Sequence, residues 1–180
     1  MEKTANILGA LSLALADGFR SAVADVLGIE GETGAAIIMI GAHPGMSVGQ
    51  VATALRLTQS GSTRVIDRLT ADGLVMRSQS PDNRRIVLLE LTEKGHQLRK
   101  LALKQREGVL ERAVSPLTDT ENAELEGLLH KVLGGLLNKR DGQCYQICRM
   151  CDESVCVPNG CPIEERWAEL FGAENRHQLP

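Results

Sequence analysis

Residues 47–95 constrain the fold of this chain more than any other stretch: SVGQVATALRLTQSGSTRVIDRLTADGLVMRSQSPDNRRIVLLELTEKG. Ser47 is a favourable N-cap for a short helix to Leu55 that turns Val48, Val51, Ala52 and Leu55 inward. Arg56-Leu57-Thr58 make a turn into a second helix over residues 59–72, with Val65, Ile66 and Leu69 as its buried side and Gly73 as its stop. Residues 74–78 and 86–91 alternate or cluster like strands, and the polar segment 79–83 between them makes a hairpin tip.

Helical patterns flank this stretch on both sides. Leu8, Leu11, Leu15, Phe19 and Val23 recur three or four apart along a helix over residues 4–27, closed by Gly28. Residues 32–42 are apolar nearly all round through Ile37, Ile38 and Ile40, which predicts deep burial before His43-Pro44-Gly45 ends the helix. A long helix starts at Thr92-Glu93-Lys94-Gly95 and runs to Val114 with Leu98, Leu101 and Leu110 as a partial stripe. Thr118 three residues before Glu121 is a capping box for a helix to Leu137, striped by Leu125, Leu128, Leu129, Val132 and Leu136. Aromatic residues make up only 2% of the 180, so the core must be built from Leu, Ile, Val and Ala, which suits packed helices. The fold class is mainly α with a small β-hairpin wing, a winged helix-turn-helix.

The N-terminus superficially resembles a secretory signal, since an apolar run ends in Ala14-Leu15-Ala16. Glu2 cancels the positive start and the stripe runs on through Phe19 and Val23, so an amphipathic helix is the better reading. No run is expected to reach the roughly 20 apolar residues of a membrane span. The expected compartment is the cytoplasm, where thiols stay reduced and no membrane partner is called for.

The formal net charge of −3 does not advertise a nucleic-acid binder, but the charge is divided. Residues 45–91 hold six arginines against four acids, a balance of +2, while residues 141–180 hold three arginines against seven acids, a balance of −4. With the apolar side of the second helix turned inward, Gln59, Ser60, Gly61, Thr63, Arg64, Asp67 and Arg68 are left outside, and Ser62 borders the two faces. Gln suits adenine, Arg suits guanine, and Ser and Thr suit phosphates or either base. Ser47 and Thr58 at the two helix starts, and Arg84 and Arg85 at the hairpin, complete a candidate DNA-reading set. A polar helix face alone is more often only solvated; the order helix, turn, helix, hairpin and basic tip is the more specific signal.

STRVIDRLTADGLVMR and NRRIVLLELTEKG resemble the recognition helix and wing of the MarR family of bacterial transcriptional regulators, and the helix order over residues 4–137, about three-quarters of the chain, fits as well. The resemblance implies a homodimer. Residues 1–45 and 96–140 would supply its helical dimerisation layer and residues 46–95 the winged helix that meets double-stranded operator DNA, with repression as the expected mode. It allows a small organic acid or phenol as effector, in the cleft between the two parts. The family's acid before the Arg pair falls at Asn83, with Asp82 one place earlier, which leaves open whether Arg84 or Arg85 reaches DNA.

Residues 141–180 form a separate tail. Cys148-x2-Cys151-x4-Cys156-x4-Cys161 places four thiols within fourteen residues, and Cys144 precedes them as an extra or alternative ligand. Four thiolates suit zinc, with zinc-knuckle-like spacing, and Cys161-Pro162 and the fifth thiol also suit an iron–sulfur cluster; zinc is placed ahead. A disulfide-stapled tail and a metal-free redox switch stay open. Residues 163–171, with Trp167, Leu170 and Phe171, are expected to form a short helix that packs the cluster onto the body. His43, His96, His130 and His177 lack a ligand spacing, and no catalytic Ser-His-Asp order, Walker loop or dinucleotide fingerprint is visible. The sequence therefore predicts a DNA-binding regulator that is not an enzyme and is tuned by a Cys-held metal centre or a small effector. The rival readings are an iron–sulfur redox protein and a metal-dependent protein-interaction module on the same helical scaffold.

Overall fold

The computed structural model describes residues 2–28 and 32–172. Glu174, Arg176 and His177, counted above, lie outside the described residues. The elements run α1 (Lys3–Leu27), α2 (Thr33–Ala42), β1 (Met46–Ser47), α3 (Val48–Leu55), α4 (Gln59–Ala71), β2 (Val75–Gln79), β3 (Val87–Leu91), α5 (Glu93–Val114) and α6 (Asp119–Leu136). The tail adds α7 (Gln143–Cys148), α8 (Glu153–Cys156), a 3-10 turn η1 (Val157–Asn159) and α9 (Pro162–Phe171).

Helix α2 is the hub. Thr33 to Ile40 are buried in succession, as an all-round apolar helix requires, and it packs on α1, α3, α4, β3 and α5. The reading head closes around it. Its capping is encoded locally: the Ser47 hydroxyl accepts from Gln50 N–H at 3.2 Å and the Gln50 side chain accepts from Ser47 N–H at 2.8 Å. Thr58 accepts from Gly61 N–H at 3.0 Å to start α4, and Gly73, with φ 68°, lets the chain turn out of it.

The three strands are antiparallel in the order β1-β3-β2, with Met46 opposite Leu89 and Arg77 opposite the same residue from the other side. The expected two-stranded wing thus gains a third strand of two residues, and its tip spans residues 80–86. Gly95 fixes how α5 leaves this sheet: a Cβ there would collide with the Leu74 carbonyl oxygen, so the last position of Leu-Thr-x-x-Gly admits no side chain.

The outer helices leave much of their apolar stripes exposed in the single chain. Only Val23 and Leu27 are buried on α1, whose second half packs on α5 with Arg106 over the Phe19 ring at 5.9 Å. Its first half exposes Ile7, Leu8, Leu11 and Leu13. On α6 no residue is buried, and Leu128, Leu129, Val132 and Leu136 all face outward; Leu101 on α5 is likewise exposed. One expectation is corrected here. By length and composition α1 is long and apolar enough to cross a membrane, because residues 4–16 carry no charge and only Asp17 and Arg20 enter the next turns.

Candidate nucleic-acid interface and the cysteine-rich tail

The exposed side of α4 presents Gln59, Ser60, Thr63, Arg64 and Arg68, with Thr58 exposed at its start and Gly61 half-buried. Ser62 does not belong to that side. It is 0% exposed and its hydroxyl donates to the Val48 carbonyl at 2.9 Å, so it joins α4 to α3 and is withdrawn from the reading surface. Asp67 is exposed but matched: the Arg77 guanidinium on β2 donates to its carboxylate at 2.6 Å. This pair removes the one acid on the reading face from play, and neither partner's role was foreseen. Arg64, Arg68, Arg84 and Arg85 make no ion pair among the described residues.

Between the start of α3, the start of α4 and the wing lies a concavity of about 680 Å³, lined by Ser47, Gln50, Gln59, Thr63, Arg85 and Val87 among others. Arg85 lines it and Arg84 does not, which separates the two arginines. The Asn83 side chain accepts from Arg85 N–H at 3.0 Å, so a neutral amide holds the wing backbone where the family pattern has an acid. Arg85 makes no ion pair among the described residues and lines the groove. Ser47 is half-buried and its hydroxyl caps α3, so its contribution to this surface comes through the helix start.

A groove of this shape beside a helix with an exposed Gln, Thr and Arg face is the layout of a major-groove reader with a wing. A family model described as the MarR family matches residues 34–87. This segment is therefore similar to the winged helix of that family. Among relatives, it is similar to the transcriptional repressor MprA of Escherichia coli K12, at 33% identity over 87 residues, 48% of this chain and 49% of that protein. The chain thus spans about half the length of this curated relative. Two solved structures share the fold: wild-type MarR from E. coli in its apo form, with TM-score 0.59 and 25% identity over 70% of this chain and 96% of that one, and Streptococcus pneumoniae FabT in complex with DNA, with TM-score 0.62 and 22% identity over 74% and 97%. The MarR-family match ends before the tail begins.

The tail folds onto two parts of the body. Helix α7 packs on α3, and α9 packs on α6. Cys144 (0%), Cys148 (4%) and Cys161 (4%) are buried in the main core cluster, with Cys151 and Cys156 half-buried against it. Cys151 N–H donates to the Cys148 carbonyl at 2.7 Å, the tight turn that a two-residue gap permits. Ile163 and Trp167 anchor α9, and the Trp167 and Phe171 rings meet edge-on at 4.8 Å; Leu170 is exposed. His43 caps α2 and lies 3.1 Å from the Glu153 carboxylate and edge-on to Tyr145, while His130 lies 3.2 Å from Glu165. As a donor set the thiols suit zinc or an iron–sulfur cluster, but among the described residues no three His, Cys, Asp or Glu side chains form a group that could hold a metal ion. Cys144, the possible extra or alternative ligand, is the most buried thiol of the tail.

Proposed function

We propose that the chain binds double-stranded operator DNA as a homodimer and regulates transcription, with repression as its mode. The observation that carries this reading is the exposed α4 face, whose Arg64 and Arg68 make no ion pair among the described residues, set beside a groove lined by Arg85. MprA is a transcriptional repressor and FabT has been solved on DNA, which supports the same reading for this chain. The exposed leucines of α1 and α6 support a second copy as their partner, because large apolar side chains clustered along two helices mark an interaction surface. Asp17, Arg20 and Asp25, and the packing of the second half of α1 on α5, favour that partner over lipid. The cytoplasm, which holds both DNA and reduced thiols, is the compartment this function requires.

The test is selection of a duplex from a random 20-base-pair pool by the purified protein, followed by titration of Arg64→Ala and Arg85→Ala on the winning sequence. Loss of the base-reading arginine should cost about 1–3 kcal/mol and relax the preference at one position. Failure of the wild-type chain to enrich any sequence would sink the reading.

Thiol density supports a Cys-held metal centre in the tail, zinc ahead of iron–sulfur, as a tuning device. A four-thiolate site requires the thiols to turn toward a common point. Protein purified without air should be colourless with about one zinc per chain; a brown protein reassigns the site to iron–sulfur, and a metal-free protein removes it. A small organic anion as effector has a candidate seat between α5 and α8. There a concavity of about 800 Å³ combines Arg99 and Lys104 with Leu103 and Leu110.

A further inference from the structure

Where α7 packs on α3, one amide of the tail bonds to both sides of the helix end. Gln146, in the middle of α7, accepts from the Arg56 side chain at 2.8 Å through its oxygen and donates to the Thr53 carbonyl at 3.1 Å through its nitrogen. Thr53 is in the last turn of α3, and its carbonyl also accepts from Arg56 N–H at 3.3 Å. Arg56 is the residue that ends α3. It is the one non-glycine residue among those described with a positive φ, 55°, in the left-handed region that costs a residue with a side chain. Two residues on, Thr58 caps α4. Arg56 therefore sets the direction in which the recognition helix departs, and Gln146 holds the side chain of that strained residue.

The other contacts of the tail lead elsewhere. Pro162 and Arg166 of α9 lie against Gly134 of α6, and Glu165 reaches His130. Glu153 at the start of α8 reaches His43 at the end of α2. The tail thus spans from the turn of the helix-turn-helix to the last long helix within one chain. Cys144 and Cys148, one turn apart on α7 and both buried, fix the rotation of the helix that carries Gln146.

We propose that the cysteine-rich tail is a strap that sets the tilt of α4 relative to the outer helices, and that Gln146 is its positioning residue. The proposal rests on the DNA-binding reading above. It assigns the route of control to the turn between α3 and α4, so that any displacement of α7 reaches the reading helix directly instead of passing first through the outer helices.

The experiment uses the full chain, the duplex selected by the wild type and an unrelated duplex of equal length, with Gln146→Leu, Arg56→Gly and the double variant. Each single variant should weaken binding to the selected duplex by about fivefold or more, with binding to the unrelated duplex unchanged. The double variant should be no weaker than the weaker single, because both changes remove the same clasp. Arg56→Gly supplies the readout that a merely structural role would not produce. Glycine relaxes the left-handed backbone, so the melting temperature should hold or rise while affinity falls. The Arg56→Gly result stands even if Gln146→Leu folds poorly. Wild-type affinity in Arg56→Gly, equal weakening on the unrelated duplex, or losses that multiply in the double variant would each overturn the strap. A wild type that selects no duplex brings down the DNA-binding reading and the strap with it.

Discussion

At Gly95 the absence of a side chain decides a packing geometry. Gly95→Ala pushes a methyl into the Leu74 carbonyl, which is backbone and cannot step aside. The substitution should cost about 1–3 kcal/mol, read as a lowered midpoint in urea with an unchanged slope. Arg84 and Arg85, adjacent in sequence, should separate in DNA titrations. Arg85→Ala should lower the slope of log affinity against log salt by about one, while Arg84→Ala leaves it nearly unchanged. Equal slopes would reject the assignment of the groove to Arg85. What could be read at this scale depended on reach. The caps at Ser47 and Thr118 satisfy neighbours three residues away, so local signals were enough to find them, and Thr58 and Thr92, read only as a turn residue and a helix start, prove to be caps of the same kind. Ser62 looked like a border residue because its partner, the Val48 carbonyl, lies fourteen positions back on another helix. Asp67 and Arg77 likewise meet only once the wing has folded beside α4.

Helix α6 carries the clearest pH dependence of any element. The Thr118 backbone N–H and then its hydroxyl donate to the Glu121 carboxylate and hold its pKa below the ordinary 4.5. A depressed carboxyl contributes stability above its unfolded value and loses it as pH falls through the folded one. The start of α6 should therefore fray as acid is added below pH 4.5, and Glu121→Gln should flatten that dependence, with amide exchange at residues 119–122 as the measurement. For the tail, the single tryptophan of the chain, Trp167, sits 4% exposed on α9. Its emission should shift to longer wavelength when α9 lifts from α6, in advance of global unfolding; an unshifted spectrum on deleting residues 143–161 would contradict the docking described. The elements themselves were largely legible, since helix periodicity and breakers are local. Strand β1 was not, because two residues become a strand only by pairing with β3.

The whole molecule has one apolar surface in excess. Leu8 and Leu11 on α1 and Leu128, Leu129 and Val132 on α6 are exposed among the described residues. Leu128→Lys should shift light-scattering mass toward that of a single chain and make operator binding depend more steeply on protein concentration. A mass that stays at two copies would place the interface elsewhere. The stripes on α1 and α6 were visible as periodicity, but periodicity does not say whether the apolar side meets the same chain or another. The α1 stripe was accordingly expected against either another chain or the C-terminal helices, and its first half is exposed in the single chain. The docking of α7 on α3 was illegible for a related reason: no local pattern joins Gln146 to a turn residue 90 positions earlier.

That separation also has a consequence in time. At about 5–20 residues per second, a ribosome completes Gln146 roughly 5–18 s after Arg56. Helices α3 and α4 and the wing are therefore made, and have their own core residues to close on, well before the amide that grips Arg56 exists. A nascent chain holds its left-handed turn by core packing alone, and only the late-emerging tail completes it. The order of translation thus makes the strap the final adjustment to an already folded head.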